Sequence, residues 1–178
     1  MALTFEDVSF HPLQDVTFHV PNGAIIGLIG DKGSGISELC RLATGLGKPE
    51  RGTITRPNVC KWLSESDAMN LSPCDLLTID YTLGKYDTIT RARTAVGLER
   101  LRRAGATIFV ASHEEALLER ISDEIWWIHE GRLAAKGDPR ETLARYRSSI
   151  AKRLEDWGET LTPRMRPAER HGNKKAEI

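Results

Sequence analysis

Three short segments of the chain hold the residue types with which a protein handles phosphate and a divalent cation. The first is Gly30-Asp31-Lys32-Gly33-Ser34-Gly35-Ile36-Ser37. Phosphate binding needs glycines so that successive backbone N–H groups can turn toward an anion at a helix N-terminus, where the helix dipole also favours negative charge. Gly30, Gly33 and Gly35 meet that need. The complete pattern, G-x-x-x-x-G-K-[ST], adds a lysine for the terminal phosphates and a hydroxyl for Mg2+. Ser37 supplies the hydroxyl, and Ile36 occupies the lysine position. From the loop alone, a glycine-rich turn without ligand is the competing reading. The second segment, Leu76-Leu77-Thr78-Ile79-Asp80, is an apolar strand ending in an acid, an arrangement that holds Mg2+ directly or through water. The third, Val110-Ala111-Ser112-His113, ends a further apolar strand in an imidazole.

These groups act together only if the elements carry them to one place. Residues 24–29 are a continuous apolar run, as expected of a strand buried on both faces, and the glycine loop follows at once. Ile36, Leu39, Cys40, Leu42 and Ala43 mark the buried stripe of a helix ending at Gly45. Strand patterns at 76–79 and 106–111 alternate with helical patterns at 89–103 and 114–122, which predicts a parallel sheet with helical crossovers. Asp80 and His113 then share the carboxyl edge of the sheet with the loop, where open α/β sheets bind ligands.

Before this core, residues 3–10 and 16–20 read as an antiparallel pair turning at His11-Pro12, and residues 52–55 and 59–63 as two strands around Pro57-Asn58. After it, residues 125–128 and 132–136 form a hairpin, and Asp138-Pro139 opens a helix running to about Trp157. The fold class is therefore α/β, with a mostly parallel sheet, flanking helices and an antiparallel N-terminal part. Residues 1–160 make one core domain, and 161–178, rich in Pro, Arg, Lys and Glu, a disordered tail.

With 178 residues and 40% hydrophobic content, one core is the natural limit. Lysine plus arginine equal aspartate plus glutamate at 25 each, so no net field points to nucleic acid as a partner. The first residues have neither the basic nor the apolar part of a secretion signal, which predicts a cytoplasmic protein. Cys40, Cys60 and Cys74 form no CxxC pair and read as reduced, packed thiols.

In spacing and order these pieces resemble the ATP-binding domain of ABC transporters over most of the chain. The segment from Val16 to Gly30 resembles the strand entering the Walker A loop, and Arg51-Gly52-Thr53-Ile54-Thr55 the strand after it. Asp80 followed by Asp87 resembles the Walker B and D-loop acids. Ser112-His113 and the stretch from Glu130 to Pro139 resemble the H-loop and closing hairpin. Trp62, residues 125–129 and Ala144-Arg145-Tyr146 look most like subunits that export capsule, O-antigen or teichoic acid polymers. The resemblance implies a P-loop NTPase-like fold with ATP and Mg2+ as cofactors. Gly30, Lys32, Gly33, Ser34, Gly35, Ile36, Ser37 and Asp87 would then face nucleotide, Ser37 and Asp80 the metal, and Asp80 and His113 the reacting phosphate. It also implies a membrane-embedded transporter subunit or a second nucleotide-binding subunit as partner, with dimerisation and a peripheral place at the inner face of the membrane.

Four departures stand against that pattern. An ammonium beside a phosphate contributes on the order of 4 kcal/mol at an effective dielectric near 20, before desolvation is subtracted, and Ile36 removes it. Lys32 is an alternative source of that charge. Tyr81 follows Asp80 where the family has a glutamate that polarises the attacking water, and a phenol of pKa ~10 is no base at neutral pH. The only glutamine, Gln14, lies far from the family's Q-loop position. Residues 37–79 leave no room for the helical subdomain with its LSGGQ signature. These losses predict a degenerate ABC domain with weak or no hydrolysis. The alternatives are a working transporter subunit, in which Glu65 or Glu114 replaces the missing base, and a non-catalytic regulatory or interaction module. Phe10 and His11 are candidates to stack on adenine. Arg91, Arg93, Arg100, Arg102 and Arg103 read as the wet face of a helix.

Overall fold

A computed structural model describes residues 2–63 and 71–161 of the chain. Chain compactness divides it into residues 1–146 and 147–178. The first unit opens with β1 (Leu3–Phe10) and β2 (Leu13–Val20), an antiparallel pair in which Leu3 faces Val20 and Phe5 faces Phe18. β3 (Ile25–Gly30) is buried at every position and leads into α1 (Ile36–Thr44). Gly45 closes that helix in the left-handed region, with its N–H bonded back to the last turn.

β4 (Arg51–Thr55) and β5 (Cys60–Trp62) follow, then β6 (Leu76–Asp80), a 3₁₀ turn at Leu83–Lys85 and α2 (Thr88–Arg103). The rest is β7 (Thr107–Ala111), α3 (Glu115–Ile121), β8 (Glu124–His129), β9 (Arg132–Gly137) and α4 (Pro139–Leu161). The Asp138 carboxylate accepts from the N–H groups of Arg140 and Glu141 and caps α4.

Two sheets result. One has the order β2-β1-β4 and is antiparallel; the other has the order β5-β6-β7-β3-β8-β9 and is parallel except for β9. The mostly parallel sheet and the antiparallel N-terminal part are as the sequence pattern predicts. β4 and β5, neighbours around Pro57-Asn58, do not pair with each other: β4 adds to β1, and β5 to β6. Local pattern identifies both as strands but holds nothing about which sheet each joins. Among the described residues no helix lies between α1 and β6. The last helix runs to Leu161, beyond the Trp157 expected from pattern. The tail at 162–178 lies outside the described residues.

An aromatic cluster joins the sheets. Phe5 stacks on Phe18 at 4.4 Å between centroids, Phe18 meets Trp126 edge-on at 4.6 Å, and Phe109 lies 5.8 Å from Trp126. Each is at least 96% buried, so each contributes packing as well as area. The wet face expected for α2 is only partly so. Arg91 and Arg102 are half-buried and paired, with Glu114 at 2.7 Å and with Glu99 at 2.8 Å. Trp126→Ala should cost about 3–5 kcal/mol of unfolding free energy in urea titrations, while Ile89→Ala, at a position 71% exposed, should stay within about 0.5 kcal/mol of the native chain.

Candidate functional site

The parallel register sets the site. Asp80 pairs with Ala111 across β6 and β7, Ala111 with Leu28 across β7 and β3, and Gly30 with Ile128 across β3 and β8. The strands therefore end at one edge. Tyr81 N–H donates to Ala111 O at 3.1 Å and Ser112 N–H to Leu28 O at 3.4 Å, which ties the residues beyond Asp80 and Ala111 to their neighbours.

Between β3 and α1 the chain turns through Gly33 and Gly35, at φ of 81° and 103°, a region costly for side-chain-bearing residues. At Gly35 a Cβ would also press on the Leu13 side chain at 2.6 Å, and at Gly30 it would meet the Ile128 carbonyl. Ser34 N–H donates to Asp31 O, and Gly131 N–H to Ser34 O at 3.1 Å, so the β8–β9 turn braces the loop from outside. Gly131 was legible as part of a hairpin but not as this brace, since the contact crosses most of the chain. Leu39 N–H makes the first rung of α1, to Gly35 O. The N–H groups of Ile36, Ser37 and Glu38 precede the ladder, as at every helix start.

A cavity of about 350 Å³ opens over this turn, lined by the loop from Asp31 to Glu38 and, opposite, by Tyr81 and His113. Lys32, Gly33, Ser34, Gly35, Ile36, Ser37 and His113 thus come together as expected. Asp80 sits behind Ser37, whose hydroxyl donates to Asp80 Oδ1 at 3.1 Å. Gly30 lies beneath the loop. Asp87 is not among the lining residues: its carboxylate caps α2, accepting from Ile89 N–H, Thr90 N–H and the Thr90 hydroxyl, and these bonds hold it below the usual carboxylate range.

Of the other candidates, Phe10 packs against the core, and Gln14 accepts from Arg132 at 3.0 Å. Glu114 is paired with Arg91 and is not a lining residue. Glu65 lies outside the described residues. Asp31 and Glu38 were not singled out as site residues, yet both line the cavity. Their proximity to the loop was visible in sequence; which way they face was not.

Two side chains define the chemistry. Ile36 is only 2% exposed and joins the hydrophobic core, with its Cδ1 near the face of Gly30 where a Cβ would stand. The position that would project an ammonium instead closes the floor of the loop with a methyl-bearing chain. Tyr81, in the left-handed region at φ 56°, stacks on His113 with centroids 4.5 Å apart and planes 28° from parallel. Burial, and then the Asp80 carboxylate, push the Tyr81 phenol far above its usual value, so it stays neutral. Burial also raises Asp80, against the Ser37 hydrogen bond that lowers it, and Glu38 raises it further.

The groups present fit the anion half of a nucleotide-metal complex. The residues at the start of α1 line a cavity, and a hydroxyl and a carboxylate of the right types for a hard cation lie 3.1 Å apart beside it. The position after Asp80 holds the Tyr81 phenol, and the carboxylates among the lining residues are those of Asp31 and Glu38.

The model of the ABC transporter family matches residues 13–109, more than half of the chain. The chain belongs to the ABC transporter family. A probable sulfate/thiosulfate import ATP-binding protein of Chlorella vulgaris is 32% identical over 108 residues, 56% of this chain and 42% of its own length. A teichoic acids export ATP-binding protein of Bacillus anthracis is 20% identical over 210 residues, 83% of this chain and 38% of its own. An O-antigen export ATP-binding protein of Myxococcus xanthus is 23% identical over 202 residues, 78% and 46% of the two chains. This chain thus spans less than half the length of these curated ABC relatives. The last two alignments exceed its 178 residues, so the relatives carry residues that it lacks within the matched region.

Among solved structures, an ATP binding subunit of an ABC transporter superposes with a TM-score of 0.69 at 19% identity, over 82% of this chain and 93% of the other. A bacterial Atm1-family ABC exporter with ATP bound gives 0.66 at 18%, over 85% and 42%. At such identity these establish the ABC fold alone. Among the described residues no helix is long and apolar enough to cross a membrane.

The Asp80 shift has a signed consequence. A carboxyl raised on folding binds its proton more tightly in the folded state, so its ionisation subtracts stability as pH climbs from the ordinary aspartate value through the raised one. Urea titrations should therefore show Asp80→Asn gaining stability relative to the native chain at neutral pH, and that gain should vanish below the ordinary aspartate pKa.

Proposed function

We propose that this chain is an ABC-type nucleotide-binding domain that holds nucleotide weakly and does not hydrolyse it, acting through protein contacts in a polysaccharide-export setting. The observation that carries the reading is Ile36, buried in the core where a phosphate-binding ammonium would stand. Charge lining points the same way. Asp31 and Glu38 face the cavity with Lys32 as the one lysine or arginine among its lining residues, so the local field does little to draw a polyanion.

What remains for a ligand is backbone. The N–H groups of Ile36, Ser37 and Glu38 and the positive end of α1 offer hydrogen bonds to phosphate oxygens. Mg2+, when bound with nucleotide, would neutralise phosphate charge, with Ser37 and Asp80 as its holders. Tyr81 is the reason that no hydrolytic step follows: a neutral phenol stacked on His113 cannot take a proton from water. The export setting is supported by similarity to the teichoic acid and O-antigen export proteins. By the same similarity, the expected partner is a membrane-embedded transporter subunit or a second nucleotide-binding subunit. Peripheral attachment at the inner membrane face would follow from the former.

Lys32 favours a second reading, a working ATPase subunit, because it lines the cavity across the turn from Ile36. Isothermal titration with MgATP separates the two. The native chain should bind weakly and show no turnover. Ile36→Lys, whose stem can leave the core and bring an ammonium into the cavity it lines, should tighten binding about tenfold or more. Adding Tyr81→Glu should still give no turnover, because no signature motif is present to complete a partner's site. Robust hydrolysis by the native chain, abolished by Lys32→Ala, would establish the second reading instead.

A further inference from the structure

The cavity over the glycine turn keeps one half of a polyphosphate site and lacks the other. In loops of this kind the backbone N–H groups cradle the two inner phosphates, while the lysine reaches toward the terminal one. The backbone half is in place. Gly33 and Gly35 hold their left-handed positions, and Ile36, Ser37 and Glu38, the first residues of α1, line the cavity. Among the described residues the Ser34 hydroxyl, in the same lining and on a residue only 5% exposed, has no hydrogen-bond partner. A buried donor in the loop is thereby left for an acceptor.

The half that would hold a terminal phosphate is filled otherwise. Ile36 packs into the core. Across from the loop stand two rings, Tyr81 and His113, stacked at 4.5 Å between centroids. The N–H bond to Ala111 O fixes Tyr81 there, and its phenol brings no charge. Asp31 and Glu38 add carboxylates to the lining, with the exposed Lys32 as its one lysine or arginine. A triphosphate brings more negative charge than a diphosphate into this lining, and the added charge is repelled by those carboxylates. We propose, on the nucleotide-binding reading above, that the site selects a nucleoside diphosphate over the triphosphate. A domain so loaded has no γ-phosphate to lose, which agrees with a phenol where a base would act.

Isothermal titration of the full chain with MgADP and with MgATP reads the preference directly. MgADP should bind about tenfold more tightly than MgATP. Ile36→Lys should remove that preference, tightening MgATP by about tenfold or more and MgADP less, with circular dichroism showing that the variant folds. Lys32→Ala should weaken both nucleotides alike. The native comparison needs no variant, so an Ile36→Lys chain that fails to fold leaves the deciding measurement intact. MgATP bound as tightly as MgADP, or more tightly, overturns the proposal and leaves the nucleotide-binding reading standing. A folded Ile36→Lys chain that keeps the native preference overturns it as well. So does a loss of MgATP affinity alone in Lys32→Ala, since Lys32 would then serve as the cation for the terminal phosphate. If neither nucleotide binds, the nucleotide-binding reading falls and the preference falls with it.

Discussion

A helix can start at the end of β3 only because the chain passes through two left-handed positions and comes within contact of its surroundings without a side chain. Gly33 and Gly35 provide the first condition; Gly30 against Ile128 and Gly35 against Leu13 provide the second. With that turn made, the dipole of α1 and its unladdered N–H groups point over the carboxyl edge of the parallel sheet. The register of β3, β6 and β7 then brings Ser37 to Asp80 and sets Tyr81 and His113 opposite. Substituting any one of these glycines disturbs the placement of every candidate group at once.

On this frame, the positions where family chemistry would reside are occupied by packing. Burying an aliphatic side chain such as Ile36 contributes roughly 1.5–3 kcal/mol, whereas an ammonium near phosphate contributes only when ligand is bound. Tyr81 likewise exchanges a charged side chain for a ring contact with His113. Both replacements favour the unliganded domain over the nucleotide complex, which is the physical sense of the proposed loss of hydrolysis. Asp87 follows the same course, with its carboxylate committed to capping α2.

The two units hold their apolar residues differently. In residues 1–146 aromatic rings from both sheets lock together around Trp126. In the second unit Leu154 and Trp157 are both exposed. Exposed large side chains carry a standing hydration cost.

The loop, the acid after β6, the histidine after β7 and the α/β class were legible in the sequence, because each is local: glycines mark φ, continuous apolar runs mark buried strands, and motif order marks topology. Helix ends and strands followed the same logic to within a few residues. Local pattern was silent on contacts between distant segments. Nothing near Arg51 or Cys60 tells which sheet its strand will join, nothing near Gly131 tells that it braces Ser34, and the pairing of Arg91 with Glu114 required two helices to meet. The sequence by itself determined that Ile36 and Tyr81 stand where a lysine and a glutamate would act, since side-chain identity is written residue by residue. Only the tertiary structure decided that Ile36 turns into the core and Tyr81 onto His113, because burial and stacking depend on neighbours that the chain brings together from far away.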